Sequence, residues 1–159
     1  MNEEAKKKIL RNIPYGLYVI GVKDGAGGYH AFTGSWITQC SMKPPRIALG
    51  VRHETHSFEC IQKTKVFSVN FLAKEDKKIF EQFFKATPSD GNRFGELKFT
   101  LKATDTPILE KAVSYLECRV VDIVDSGDHS IVIGDIVGAE VTSDQHPLIM
   151  SDTPWHYGG

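Results

Sequence analysis

The sequence is poor in cysteine and has no excess of either charge. Its 159 residues include three cysteines, Cys40, Cys60 and Cys118, an odd number without CxxC spacing. This pattern excludes a disulfide framework and gives no zinc motif, so we expect buried free thiols in a reducing compartment. The 19 Lys and Arg residues are balanced by 20 Asp and Glu residues. Because binding to a phosphate backbone needs a basic face, we expect no nucleic-acid partner.

Long apolar runs are also absent. No stretch approaches the ~18 residues of a membrane helix, and no apolar segment follows Lys6, Lys7 and Lys8 as a signal peptide would require. The apolar and charged fractions, 41% and 25%, are typical of a folded domain. We therefore expect one soluble, cytoplasmic domain over 1–159, with no membrane partner.

Two common nucleotide-binding motifs are missing. The sequence has neither a GxGxxG that opens a helix after a strand nor a GxxxxGK[ST]. The glycines at 25–28 stand between two predicted strands, where a hairpin turn is their expected use. A Rossmann dehydrogenase and a P-loop enzyme are therefore disfavoured.

Strand-like segments dominate the chain. Residues rich in β-branched and aromatic side chains predict strands at 17–23, from 29 onward, and at 47–51, 66–72, 113–124 and 130–141. Turn residues at 24–28 and 125–128 predict two hairpins. Helices are predicted at 57–64 and 75–86, the second with an apolar stripe, and 87–95 is predicted to be a surface loop. Long antiparallel strands with few helices are typical of a closed β-barrel.

The segment 31–45 is unusually rich in small hydroxyl side chains. Thr33, Ser35 and Thr38 stand there beside Gly34 and Trp36. One interpretation is that a flat aromatic ligand lies along this strand, with hydroxyl and backbone N–H groups donating to its polar edge, and Gly34 allowing close approach. The other interpretation is an exposed edge strand, where Thr and Ser are tolerated.

A second cluster, GVRHETHS at 50–57, precedes the first predicted helix. The N-terminus of a helix attracts anions, and the planar guanidinium of Arg52 suits a phosphate. The alternative is that Thr55 and Ser57 merely cap the helix, which is worth ~1 kcal/mol. Phe58 occupies the position where a complete capping box needs Glu, and this gap favours an anion.

Three histidines deserve separate interpretations. His53 and His56 are three residues apart, but no supporting ligand beyond Glu54 stands near them and HExxH is absent, so we expect no metal site. His129 follows the turn at 125–128. It is either a half-exposed turn residue or a side chain that contacts a second substrate, because an imidazole titrates near working pH.

Four motifs, in the same order, resemble those of the flavin-reductase-like, FMN-binding split-barrel family. This family includes NAD(P)H:flavin oxidoreductases, reductase components of two-component monooxygenases, and electron carriers called flavoredoxins. The motifs are PYGLYVI at 14–20, TGSWITQCS at 33–41 with Pro44-Pro45 and IALGV at 47–51, FSVNFL at 67–72, and GDHS at 127–130 with IGDIV at 133–137.

The resemblance implies a mainly β fold, an antiparallel, Greek-key split barrel with a few flanking helices. It implies that FMN, or alternatively FAD, binds along residues of the two clusters, namely Thr33, Gly34, Ser35, Trp36, Ile37, Thr38, Gly50, Val51, Arg52, Thr55, His56 and Ser57. It also implies that His129 is catalytic and faces the nicotinamide. Two departures from the family pattern, the bulky Trp36 and the segment 152–159, indicate restricted access for NAD(P)H.

The implied function is a flavin-binding oxidoreductase, in which FMN is reduced by NAD(P)H and passes electrons to a flavin or to a redox partner such as an oxygenase. The alternative is a non-catalytic FMN electron carrier that does not use NAD(P)H directly. Because members of the family are homodimers, the resemblance also implies a homodimer.

Overall fold

Antiparallel strands form most of the structure, a computed structural model that describes all residues from Met1 to Gly159. The strands are β1 (Tyr18–Lys23), β2 (Tyr29–Gly34), β3 (Ile37–Met42), β4 (Pro45–Arg52), β5 (Val66–Leu72), β6 (Thr87–Pro88), β7 (Arg93–Phe94), β8 (Leu97–Leu101), β9 (Pro107–Leu109), β10 (Ala112–Ser126) and β11 (His129–Val141). The helices are α1 (Glu3–Arg11), α2 (His56–Thr64) and α3 (Lys77–Glu81), with 3₁₀ turns at Lys74–Asp76 and Met150–Asp152. None of the helices is long and apolar enough to span a bilayer.

Eight strands pair in the order β3-β4-β11-β10-β5-β1-β2-β6, and β7, β8 and β9 form a separate small sheet. Both predicted hairpins are confirmed, since Lys23 pairs with Tyr29 and Ser126 pairs with His129. The register of β11 against β4 places His129 opposite Arg52. This pairing brings the second cluster and the turn at 125–128 to the same end of the sheet.

Strand β1 separates two buried apolar clusters. Successive side chains of a strand point to opposite faces, so Ile20 and Val22 pack into the first cluster while Leu17 and Val19 pack into the second. Fully burying a large apolar side chain contributes about 1.5–3 kcal/mol. The first cluster includes Leu49, Ile61 and Phe67, and the second includes Phe80, Phe83, Phe94 and Phe99.

The helix predicted at 57–64 is confirmed as α2, but the helix predicted at 75–86 is much shorter. Only Lys77–Glu81 is α-helical, and Phe83 N–H donates to Phe80 O in a three-residue turn. The Phe83 carbonyl accepts from Thr33 N of β2 at 2.8 Å. This bond to β2 takes the place of a hydrogen bond within the helix. Phe83 is buried, whereas Phe84 is 52% exposed.

Some elements differ from the prediction. Helix α1 was not predicted, although Asn2 caps it and Glu3 and Glu4 lie in its first turn; none of its residues is buried. The expected loop at 87–95 contains two-residue strands β6 and β7 and the buried Phe94. The expectation of three buried thiols is wrong for Cys40, which is exposed because β3 is at the sheet edge; Cys60 and Cys118 are buried.

Asn70 joins the two sheets. Its Nδ2 donates to Val19 O and Pro107 O, both at 3.1 Å, and its Oδ1 accepts from Leu109 N at 2.8 Å. Asn70 is fully buried. Since β5 carries Asn70 between β1 and β9, one amide group satisfies backbone groups of two strands that do not pair with each other.

We predict that Asn70→Ala lowers the free energy of unfolding by about 3 kcal/mol, because it leaves buried backbone groups without partners. The measurement is urea unfolding followed by circular dichroism. Asn92→Ala is the matched control, since Asn92 is exposed and its side chain makes no hydrogen bond in the chain. Equal stability of the two variants would contradict the assigned role of Asn70.

Candidate functional site

A cavity of about 490 Å³ lies where β2, β4 and α2 meet the last residues of the chain. This volume is within the range of small-molecule and cofactor pockets. Most of the residues predicted from the two sequence clusters line it, namely Thr33, Gly34, Ser35, Trp36, Gly50, Val51, Arg52, Thr55 and Ser57. Two segments that are separate in the sequence therefore contribute to one cavity.

The glycines of the cavity serve packing within the protein. A Cβ atom on Gly50 would stand 3.0 Å from Cε3 of Trp36, and Gly50 N donates to Trp36 O at 2.8 Å. A Cβ atom on Gly34 would stand 2.9 Å from Cγ1 of Ile20. The missing Cβ atom of Gly34 therefore makes room for the core side chain of Ile20, while Gly34 itself lines the cavity.

The start of α2 provides groups that suit an anion. Thr55 caps the helix, since its Oγ1 accepts from Phe58 N at 3.2 Å and donates to Arg52 O at 2.9 Å. The N–H groups of His56 and Ser57 occupy the first helical positions, where no carbonyl within the helix can accept them. Arg52 has no carboxylate within ion-pair distance. The cavity therefore has an unpaired cation beside the positive end of a helix dipole.

Two buried polar atoms in this wall have no hydrogen-bond partner. They are Oγ of Ser57, a residue only 1% exposed, and Nε1 of Trp36. Buried polar groups nearly always have partners, so each exception needs an explanation. Both residues line the cavity, so a ligand bound there would lie next to both of them. The groups present, an indole face, two unpartnered polar atoms and a cation at a helix start, fit a phosphorylated aromatic ligand such as FMN.

His129 lies beside the cavity within a chain of hydrogen bonds. Its Nδ1 is 2.8 Å from Asp128 Oδ1, its Nε2 is 2.7 Å from Tyr157 Oη, and its ring centroid is 4.6 Å from that of Trp36. The bond to His129 lowers the pKa of Asp128, and burial raises the pKa of Tyr157. His129 is only 9% exposed, so it is not the half-exposed turn residue that the sequence allowed.

Four predicted residues lie outside the cavity lining, and His129, described above, is one of them. Ile37 packs against the first apolar cluster, and Thr38 is exposed with its hydroxyl donating to Gln39 O. His56 points toward β2, where its Nε2 is 3.1 Å from Nε2 of His30. The structure contains no group of three or more metal-ligating side chains arranged to hold an ion.

The sequence analysis missed the residues that cover the cavity from the other side. Phe84, Ala86, Met150, Trp155, His156 and Tyr157 all line it. The aromatic cluster at 155–157 is a signal that the sequence does contain. Its position could not be inferred, because its contacts with Trp36 and His129 span long separations along the chain.

Comparisons with known proteins identify the family. A family model described as "Flavin reductase like domain" matches residues 10–157. The FMN reductase (NADH) RutF of Pantoea ananatis is 29% identical over 84% of this chain and 70% of its own length. The diflavin flavoprotein A 1 of Synechocystis sp. is 29% identical over 85% of this chain and 24% of its own length. The chain spans between 23% and 39% of the length of the first four curated relatives that it matches.

A solved structure supports the same conclusion. The flavin reductase HpaC complexed with NADP⁺ has a TM-score of 0.78 to this chain and 26% sequence identity, over 92% of this chain and 91% of HpaC. The likeness confirms the mainly β, split-barrel fold implied by the sequence motifs. With nearly its whole length matched by the family model and its fold shared, the protein belongs to the flavin reductase like domain family.

Proposed function

We propose that the protein is a flavin-binding oxidoreductase that holds FMN in the cavity. NAD(P)H reduces this FMN, which passes electrons to a flavin or a redox partner. The observation that carries this proposal is the start of α2, where the unpaired Arg52 stands beside the unpartnered, buried Oγ of Ser57. Relatives named flavin reductase and FMN reductase (NADH), similar over most of this chain, support the activity. FAD is the alternative flavin.

The chain would bind the two ends of FMN with different elements. Arg52, Thr55 and Ser57 surround the position that suits the phosphate, because a helix N-terminus and an always-charged guanidinium both favour an anion. The end of β2 and the residues after it, Thr33–Trp36, provide a strand and an indole face for the aromatic ring. Both donors of Thr33 are already engaged, since its hydroxyl donates to Phe80 O at 3.4 Å and its N–H donates to Phe83 O at 2.8 Å.

Bound flavin supplies the hydride-accepting and electron-transferring chemistry; the protein binds it, orients it and excludes water. The apolar side chains of Leu17, Phe32, Phe84 and Trp155 line the cavity and limit water. Asp128 accepts from His129 Nδ1, which leaves Nε2 as the hydrogen-bond acceptor on the other side of the ring. His129 would then face the nicotinamide with an imidazole whose orientation is fixed by Asp128.

We infer that the working unit is a homodimer, and that an oxygenase or another redox protein receives the electrons. Five apolar side chains along the β10–β11 hairpin are at least 38% exposed, namely Val121, Val124, Ile131, Val137 and Val141. Exposed apolar side chains on paired strands support a protein interface. One structural neighbour is named as the flavin reductase component of a two-component tryptophan halogenase. This name supports the proposal that a partner enzyme receives the electrons. We place the protein in the cytoplasm, as the sequence predicts.

We predict that Arg52→Ala weakens FMN binding by about tenfold or more, because a hydrogen bond to a charged group contributes about 1.5–3 kcal/mol. A titration that follows quenching of FMN fluorescence measures the affinity. Arg119→Ala is the control, since Arg119 is exposed on β10 and does not line the cavity. Unchanged affinity in Arg52→Ala would refute the phosphate assignment.

The second prediction concerns the electron donor. We expect the FMN-loaded protein to lose its yellow colour when NADH or NADPH is added without oxygen, as followed by absorbance. A protein that binds FMN and is reduced by dithionite, but ignores both nucleotides, would instead be the non-catalytic carrier. Absence of any flavin affinity would contradict both functions.

A further inference from the structure

Residues 153–159, here named the closing segment, have no regular secondary structure. Three consecutive side chains of this segment, Trp155, His156 and Tyr157, line the cavity. The residues that would hold the flavin line the same cavity, and one of them, Trp36, contacts the closing segment. The closing segment therefore lies next to the position proposed for the flavin ring.

The closing segment is held at two places. The ring of Trp155 packs edge-on against Phe84, with centroids 4.8 Å apart, and Lys77 Nζ lies 5.3 Å from the Trp155 ring. At the other place Gly158, with φ of +78°, packs against Trp36, where a Cβ atom would come within 2.9 Å of Cζ2. Only glycine combines this backbone conformation with so close a contact.

Tyr157 stands between these two places and contacts the residues proposed to face the donor. Its Oη is 2.7 Å from Nε2 of His129, and its ring centroid is 5.3 Å from that of Trp36. Burial raises the pKa of Tyr157, so its hydroxyl stays protonated at neutral pH and donates to Nε2. Since Asp128 accepts from Nδ1, both nitrogens of His129 are engaged by the protein itself.

This arrangement conflicts with the entry of a hydride donor. A nicotinamide is a flat six-membered ring of nearly the size of a phenol. It would need both the space next to Trp36 and the exposed side of His129. Tyr157 already fills that space and bonds that nitrogen. The closed arrangement and the donor complex are therefore mutually exclusive.

We propose that Tyr157 is a specificity-determining residue that controls access of the nicotinamide donor, which binds only when the closing segment has moved away from His129 and Trp36. This inference rests on the proposed function of the same cavity. A donor that binds only to the open form has an apparent dissociation constant equal to its intrinsic value divided by the open fraction. Weakening the Tyr157 contacts raises that fraction, so the KM for the nucleotide falls while kcat is unchanged.

The test uses the FMN-loaded full chain and measures steady-state oxidation of NADH and of NADPH with excess flavin as acceptor. We expect Tyr157→Ala to lower the KM for the preferred nucleotide about tenfold, with kcat within twofold of the parent. Tyr157→Phe keeps the ring and loses only the hydrogen bond to His129, so we expect it to lower the KM about threefold. Gly158→Ala, which pushes the segment off Trp36 without changing Tyr157, is expected to lower KM as well.

Two controls separate access from folding. Tyr29→Phe removes a phenolic hydroxyl that makes no hydrogen bond in the chain and lies outside the cavity, and it is expected to change neither constant. FMN affinity, measured by fluorescence, is expected to remain within twofold in Tyr157→Phe, because the ring that contacts Trp36 is retained. Tyr157→Ala and Gly158→Ala change contacts of Trp36, so the KM of these variants is measured at saturating FMN.

The outcomes distinguish this inference from the proposed function. If the parent protein oxidises NADH or NADPH and KM is unchanged in both Tyr157→Ala and Gly158→Ala, the access role is overturned and the reductase function stands. A fall in kcat without a fall in KM would also overturn it, since Tyr157 would then orient His129 during the reaction. If neither parent nor variants oxidise either nucleotide while all bind FMN, the reductase function fails, and this inference fails with it.

Discussion

The pairing of β4 with β11 is the constraint on which the cavity depends. It sets His129 opposite Arg52 and Ile131 opposite Gly50, although these partners are about eighty residues apart. His53 N donates to Asp128 O at 3.1 Å and continues the pairing past the strand end. A shift of one residue would turn every side chain of β11 to the other face of the sheet. The start of α2 and the imidazole of His129 would then no longer lie side by side at the same end of the sheet.

The sequence predicted those parts of the site that depend on local chemistry. The groups at 33–36 and 50–57 were found because their hydroxyl, glycine and arginine residues are unusual for ordinary strands, and most of them line the cavity. The exceptions have geometric reasons. Thr38 is exposed on the edge strand β3, and His56 occupies a helical position whose side chain points toward His30. Motifs alone do not give these directions.

The features that could not be predicted depend on tertiary contacts. The short α3 ends because the Phe83 carbonyl accepts a hydrogen bond from β2, a partner about fifty residues away in the chain. The role of residues 155–157 depends on Phe84, Trp36 and His129, which lie on three separate elements. In both cases the helical or loop preference of the segment itself is ordinary, and a contact distant in the sequence determines the structure.

The two unpartnered atoms of the cavity relate stability to binding. Leaving a buried donor or acceptor without a partner costs about 1–3 kcal/mol, and the protein has two such atoms, Ser57 Oγ and Trp36 Nε1, at one site. The tight packing of Gly50 and Gly158 against the indole holds Trp36 in place despite this cost. A ligand that supplies the missing partners recovers part of it, and therefore stabilises the folded protein as well as binding to it. The features that make this wall of the barrel unfavourable without a ligand are thus those that favour its occupation.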